Sequence, residues 1–280
     1  MEGVFYGVFT SDTVFLMRTV PVNVILPADK MTFPGQPERP EKPYPTLYLL
    51  HGVFGSCIDW VSGTRIQRFA EENDLAVVMP SGDNAFYVDQ PKGHNNYGEY
   101  IGQELVRLTR KMFPLSRKRE DTFIGGLSMG GYGALRNGLK YSDTFGAVIA
   151  LSGALHMEEI ASRTEDKAFF LESKSYAEAC FGDLTHLLNS DKDPKCLMRQ
   201  ILKEGKELPA IYMACGNSDS LLSVNRDMAA FLKENGANVT FEQGSGAHEW
   251  DFWDRYIKKA IDWLPLEKGT AGISSGNVGI

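Results

Sequence analysis

The chain holds 280 residues, 43% of them hydrophobic, and carries a formal net charge of −7 at pH 7. A length of this order commonly forms one α/β sheet domain, and the apolar fraction suffices for a sizeable core. The negative charge argues against nucleic acid and an anionic membrane surface as partners, because its long-range field would be repelled by both; a small neutral molecule would feel little of that field.

The opening residues, Met1-Glu2-Gly3-Val4-Phe5, lack the basic and apolar regions of a secretory signal, and no apolar run approaches the roughly 18 residues that span a bilayer. Cys57, Cys180, Cys196 and Cys215 stand outside any C-x-x-C spacing, so reduced thiols in a cytoplasmic protein are expected, with neither a zinc site nor a redox pair. Val14, Leu16, Val20, Val22 and Val24 share one parity, broken by Arg18, which predicts two strands in an edge hairpin over 13–26. Pro27, Pro34, Pro37, Pro40, Pro43 and Pro45 then predict a surface loop, since proline gives a ladder no donor.

From Thr46 the pattern becomes short apolar runs alternating with amphipathic stretches. Strands are predicted over 46–50, 75–79, 121–125, 145–151, 210–215 and 239–241. Ile101, Leu105, Leu108 and Met112, and later Trp253, Ile257, Ala260 and Leu264, mark the buried faces of helices. This alternation predicts an α/β fold: a mainly parallel central sheet with helices on both faces. Between Leu151 and Ala210 lies far more chain than the ~20 residues one crossover helix needs. The surplus, with Phe169, Phe170, Tyr176, Phe181 and Leu187, reads as a small helical cap inserted at about 155–205, either a pocket lid or a surface decoration. Residues 1–268 are expected to form one domain, and 269–280 a Gly/Ser-rich tail.

The chemistry centres on Gly126-Leu127-Ser128-Met129-Gly130, a G-x-S-x-G elbow. A serine projecting from so tight a strand-to-helix turn would clash with side chains two residues either side, and glycine removes both clashes. The motif alone is weak, since glycine at about 7% of an average sequence yields it by chance on the order of once in ten chains of this length. Here an apolar strand precedes it directly, and a helix-compatible stretch, 132–141, follows. The partners of such a serine come in the order acid, then histidine, each after a later strand. Asp219 follows the strand 210–215 in Gly216-Asn217-Ser218-Asp219, and His248 follows 239–241 in Gly246-Ala247-His248-Glu249. Asp219 could instead cap the helix beginning near Leu221, and His248 the final helix. Ser128, Asp219 and His248 are the expected catalytic triad.

An oxyanion hole needs two amide N–H groups aimed at one point. The expected donors are Met129 and, from the loop His51-Gly52-Val53-Phe54-Gly55, Val53, with Phe54 the alternative. His51 is read as structural. His94, in the polar loop 93–96, could border the pocket or be solvated; His156 and His186 have no ligand-spaced companion, so no metal is expected. Gly131-x-Gly133 lacks the third glycine of a dinucleotide fingerprint, with Arg136 in its place, and no Walker A loop occurs. No cofactor is called for.

These residues resemble an esterase family that includes bacterial tributyrin esterases, feruloyl esterases and S-formylglutathione hydrolases. The likeness is carried by His51 to Gly55 with Asp59-Trp60, by Phe123 to Gly133, by Cys215 to Asp219, and by Gly246 to Trp253. Phe86-Tyr87-Val88-Asp89, followed by Tyr97 to Leu105, also resembles the aromatic loop and helix beside the family's pocket. The likeness is greatest to the tributyrin-esterase branch. It implies the α/β-hydrolase fold and a serine carboxylesterase working through an acyl-enzyme on short acyl esters, acetyl to butyryl. With it, Phe54, Trp60 and Tyr87 are the bulky candidates for substrate contact. The alternatives are a feruloyl or acetyl-sugar esterase, an S-formylglutathione hydrolase, or an acyltransferase with the same triad. One departure points away from the glutathione thioester: those hydrolases typically carry serine-glycine-leucine-threonine where this chain has His51-Gly52-Val53-Phe54. The expected partner is a small ester, and a second copy could pair at the exposed sheet edge to form a homo-oligomer.

Overall fold

A computed structural model describes residues 4–10, 15–28 and 42–267. Its frame is an eight-stranded sheet. In chain order the strands are β1 (Val4–Thr10), β2 (Thr19–Ile25), β3 (Thr46–Leu50), β4 (Ala76–Pro80), β5 (Thr122–Leu127), β6 (Ala147–Leu151), β7 (Ala210–Gly216) and β8 (Val239–Gly244). Their order across the sheet is β1-β2-β4-β3-β5-β6-β7-β8. The six from β4 to β8 run parallel, and β1 and β2 add an antiparallel edge. The mainly parallel α/β expectation therefore holds.

The central strands are buried on both faces, and their two-residue period sorts side chains into two cores. Tyr48, Leu50, Ile124, Val148, Ala150, Ile211 and Met213 face one core; Leu47, Leu49, Phe123, Ile149, Leu151, Tyr212 and Ala214 face the other. Helices α1 (Leu105–Met112), α2 (Met129–Lys140) and α3 (Leu222–Glu234) cover the first, and α4 (Trp250–Trp263) covers the second.

Two expectations shift. The edge hairpin exists, but its first strand is Val4–Thr10, ahead of the predicted 13–26 span, and residues 15–18 form the turn into β2. The predicted buried stripe Ile101-Leu105-Leu108-Met112 breaks down at its end: Val106 and Thr109 are buried while Met112 is 46% exposed. A π-helical turn at Tyr100–Glu104 sets Ile101 apart from the rest of the stripe by an extra residue, and Met112 is the last residue of the helix that follows. Pro34, Pro37 and Pro40 of the proline loop and the 269–280 tail lie outside the described residues.

The surplus chain between β6 and β7 contains the helices Met157–Ala161, Lys174–Phe181 and Pro194–Glu204. It is stitched to α2 by charge. The wholly buried Arg136 bonds the Asp191 carboxylate, donates Nε–H to the Asp191 carbonyl at 2.9 Å, and lies 3.4 Å from Asp89. Lys140 Nζ joins the same carboxylates at 2.7 and 3.0 Å, and the Tyr132 hydroxyl donates to the Lys192 carbonyl at 2.6 Å.

Candidate active site

Ser128 stands between β5 and α2 with φ 54° and ψ −118°, a conformation that a residue with a side chain adopts only under strain. The flanking glycines make that turn possible. A Cβ on Gly126 would lie 2.4 Å from the Gly130 carbonyl oxygen, and one on Gly130 would lie 2.4 Å from that of Leu50. The Ser128 backbone is held by its N–H to the Leu151 carbonyl at 2.9 Å and by its own carbonyl accepting from Tyr132 and Ala154 at 3.0 Å.

His248 reaches this serine from the loop after β8. Its Nε2 is 3.0 Å from Ser128 Oγ, and its Nδ1 is 2.9 Å from Asp219 Oδ2. The two loops that bring acid and histidine together are bonded to each other. Asn217 N–H donates to the Gly244 carbonyl at 2.8 Å and Ser218 N–H to that of Gly246 at 3.0 Å. Gly216 must be glycine here, because its Cβ would lie 2.4 Å from the Gly246 oxygen.

Asp219 also accepts the Leu221 amide on Oδ1 at 2.9 Å, ahead of α3, so it makes both contacts between which the sequence left a choice. Burial alone would raise its carboxyl, but bonds from His248 and the Leu221 amide hold it below the ordinary carboxylate value. With Nδ1–H given to this anion, His248 Nε2 is left as the acceptor facing Ser128, an arrangement suited to removing the hydroxyl proton.

Met129 supplies the first amide of α2, where the helix dipole favours negative charge. Neither it nor the Val53 amide meets a protein acceptor among the described residues. The Phe54 amide, by contrast, donates to Asn84 Oδ1 at 2.8 Å, so of the two sequence candidates Val53 has the free N–H. His51 is buried with Nδ1 2.6 Å from the Gly52 carbonyl while its Nε2 accepts the Gly82 amide at 2.8 Å. Burial lowers its pKa, which suits a neutral ring bracing this loop.

A pocket of roughly 110 Å³ opens beside Ser128. Its wall combines Val53 and Met129 with Phe86, Ile160, Tyr176 and Phe181, so the insertion between β6 and β7 contributes directly. Tyr176 and Phe181 belong to the insertion and are site residues that no motif marks; their aromatic clustering is the signal in the sequence.

Two proposed substrate contacts need correction. Trp60 is 1% exposed and donates its indole N–H to the Leu50 carbonyl at 2.9 Å. It belongs to an edge-to-face series of rings, Trp60–Trp250–Trp253–His248, with centroid spacings of 5.7, 5.2 and 4.9 Å. Tyr87 is fully buried under the loop that holds His51 and Val53, its hydroxyl donating to the His51 carbonyl at 3.0 Å. Neither lines the pocket: Trp60 packs edge-on against Trp250, and Tyr87 fills the core space that Gly82 and Gly133 leave open. Phe54 differs. It is 66% exposed at φ 66° and meets Phe170 edge-on at 5.8 Å, forming an apolar rim with Tyr176 5.0 Å beyond Phe170.

The family model described as "Putative esterase" matches residues 15–263. An acetyl esterase of Caldicellulosiruptor saccharolyticus is 45% identical over 249 residues, covering 89% of this chain and 94% of its own. Among solved structures, the fluorophosphonate-binding serine hydrolase F (FphF) of Staphylococcus aureus superposes with a TM-score of 0.80 at 32% identity, over 93% of this chain and 98% of that one. An S-formylglutathione hydrolase (FrmB) of the same species gives 0.78 at 32% identity, over 94% and 99%.

Proposed function

Since the chain belongs to the "Putative esterase" family and is a carboxylesterase of the α/β-hydrolase fold, we propose that it cleaves short-chain acyl esters, acetyl to butyryl, through an acyl-enzyme on Ser128. His248 Nε2 takes the Ser128 proton as Oγ bonds to the ester carbonyl carbon. The carbonyl π electrons move to oxygen, and the oxyanion is met by the Met129 and Val53 N–H groups. Collapse breaks the bond to the alcohol oxygen, which leaves with the proton from His248. Water, deprotonated by His248, then attacks the acyl carbon, and collapse breaks its bond to Ser128 Oγ, which takes the proton back from His248 as the acid leaves. Asp219 holds the required tautomer and stabilises the imidazolium. The observation that carries this reading is the continuous bonding from Ser128 Oγ through His248 to Asp219 beside two unpaired amides.

The short acyl chain is supported by the pocket: roughly 110 Å³, with aromatic walls from Phe86, Tyr176 and Phe181. The acetyl esterase relative supports it too. The insertion at about 155–205 acts as a cap that closes this space, and the exposed Phe54 contacts the alcohol portion at the rim.

Initial rates on p-nitrophenyl acetate, butyrate and octanoate test the acyl preference. The expected kcat/KM for octanoate is about tenfold or more below butyrate, the surplus methylenes finding no room. A rate that rises steadily with chain length would contradict the proposal. Methyl ferulate and S-formylglutathione, assayed in parallel, are expected to be poorer substrates than the acetate.

A further inference from the structure

We infer that Asn84 is a positioning residue for the oxyanion site: its side-chain oxygen holds the Phe54 N–H and so fixes the chain through Val53, whose own amide is left aimed at the developing charge. This rests on the roles proposed above for Ser128 and Val53.

Val53 stands between two peptide planes, and each is tied down. The plane before it carries the Gly52 carbonyl and the Val53 N–H, which point in opposite directions across a trans peptide. The Gly52 oxygen accepts the Gly55 amide at 3.3 Å and lies 2.6 Å from His51 Nδ1. Because the Gly82 N–H can only donate to His51 Nε2, the proton of the neutral ring sits on Nδ1 and is given to Gly52. Those bonds draw the carbonyl toward His51 and turn the Val53 N–H the other way. The plane after Val53 carries the Phe54 N–H, whose acceptor is Asn84 Oδ1 at 2.8 Å. That side-chain atom must be the amide oxygen, since an N–H needs an acceptor.

The second tie matters because Phe54 sits at φ 66°, a left-handed conformation that costs a bulky aromatic residue energy. Its ring is 66% exposed, so packing gives that backbone little support. Without the Asn84 bond the residue is free to relax, and the Val53–Phe54 peptide turns with it. Asn84 is itself anchored from the far side of the pocket. Its backbone carbonyl accepts the Tyr176 hydroxyl at 2.7 Å and the Cys180 thiol at 3.4 Å, one helical turn apart on Lys174–Phe181. Val53 and Tyr176 both line the pocket. Asn84 therefore joins the oxyanion loop to the insertion through its two oxygens, one on the side chain and one on the backbone.

The test compares wild type, Ser128→Ala, Asn84→Ala, Asn84→Leu and Asn84→Asp on p-nitrophenyl acetate, reading kcat, KM and thermal midpoint. Inhibition by a methyl trifluoromethyl ketone is measured alongside. Ser128 Oγ adds to the ketone carbon, and the oxygen of the adduct occupies the place of the ester oxyanion. Asn84→Ala is expected to lower kcat by about tenfold with KM unchanged, less than the roughly hundredfold or more that follows loss of an oxyanion donor itself. Affinity for the ketone should weaken by the same factor, since both quantities report on the oxyanion. Asn84→Leu keeps the side chain's shape without its acceptor and should match Asn84→Ala. Asn84→Asp keeps an oxygen facing the Phe54 N–H and should recover most of the loss.

Wild-type kcat in Asn84→Ala and Asn84→Leu would overturn the inference. So would a loss confined to KM, a ketone affinity that does not follow kcat, or an Asn84→Asp variant as slow as Asn84→Ala. A loss seen only as the assay temperature nears the thermal midpoint would overturn it too. If Asn84→Ala does not fold, Asn84→Leu decides the matter. Hydrolysis surviving in Ser128→Ala is a separate result: it would remove the active-site reading and this inference with it.

Discussion

Ser128→Ala is expected to reduce ester turnover by about four orders of magnitude or more, leaving a folded protein that no longer reacts with a fluorophosphonate probe. The size follows from the division of labour among these groups. Without Oγ there is no atom to carry the acyl group, and only the amides and the pocket remain to assist water. The substitution should not disturb the fold, because the Ser128 backbone is held by bonds from its own N–H and carbonyl, which alanine keeps. His248→Ala should be nearly as severe. Asp219→Asn should follow, since an amide at that position favours the tautomer that turns Nε2–H toward the serine. Turnover above a few per cent of wild type in Ser128→Ala, with circular dichroism and thermal midpoint intact, would sink the assignment.

The second large effect concerns stability. Arg136→Met should lower the thermal midpoint by about 6–12 °C, taking about 3 kcal/mol for breaking a buried ion pair and a few degrees per kcal/mol in a chain of this size. Arg136 is wholly buried, and its removal leaves Asp191 and Asp89 sharing only Lys140. The pH dependence has a definite sign. Burial alone would raise the Asp191 carboxyl, but Arg136 and Lys140 hold it below its ordinary value. A depressed carboxyl contributes stability that is complete above its unfolded pKa and is lost as pH falls through the folded value. Wild type should therefore lose stability on acidification more steeply than Arg136→Met. Differential scanning calorimetry from neutral to acid pH measures both quantities, and parallel curves for the two proteins would show that the ion pair carries no such linkage.

The sheet was legible because each central strand is a short apolar run bounded by turn residues, and burial on both faces leaves few competing readings. The elbow was legible for a different reason: two glycines flanking a serine are what a steric collision with the Leu50 and Gly130 carbonyls demands. The π turn at Tyr100–Glu104 left no such mark, since a single extra residue in a helical turn changes phase without changing composition. Trp60 and Tyr87 misled for a related reason. Family resemblance placed these bulky rings near the pocket, but whether a ring points into a cavity or into the core is set by packing with distant residues: Tyr87 fills the space left by Gly82 and Gly133, and Trp60 packs on Trp250.

The ring series that ends on His248 makes this protein a reporter on itself. Three of its four tryptophans, Trp60, Trp250 and Trp253, stand in that series, and only Trp263 lies elsewhere, against Tyr212. Protonated imidazole quenches indole emission at contact, so intrinsic fluorescence should dim when His248 takes a proton and recover when it gives the proton up. Binding of an ester against His248 would then be read in indole emission without any chromogenic leaving group, and the natural ester could be sought by light emission alone.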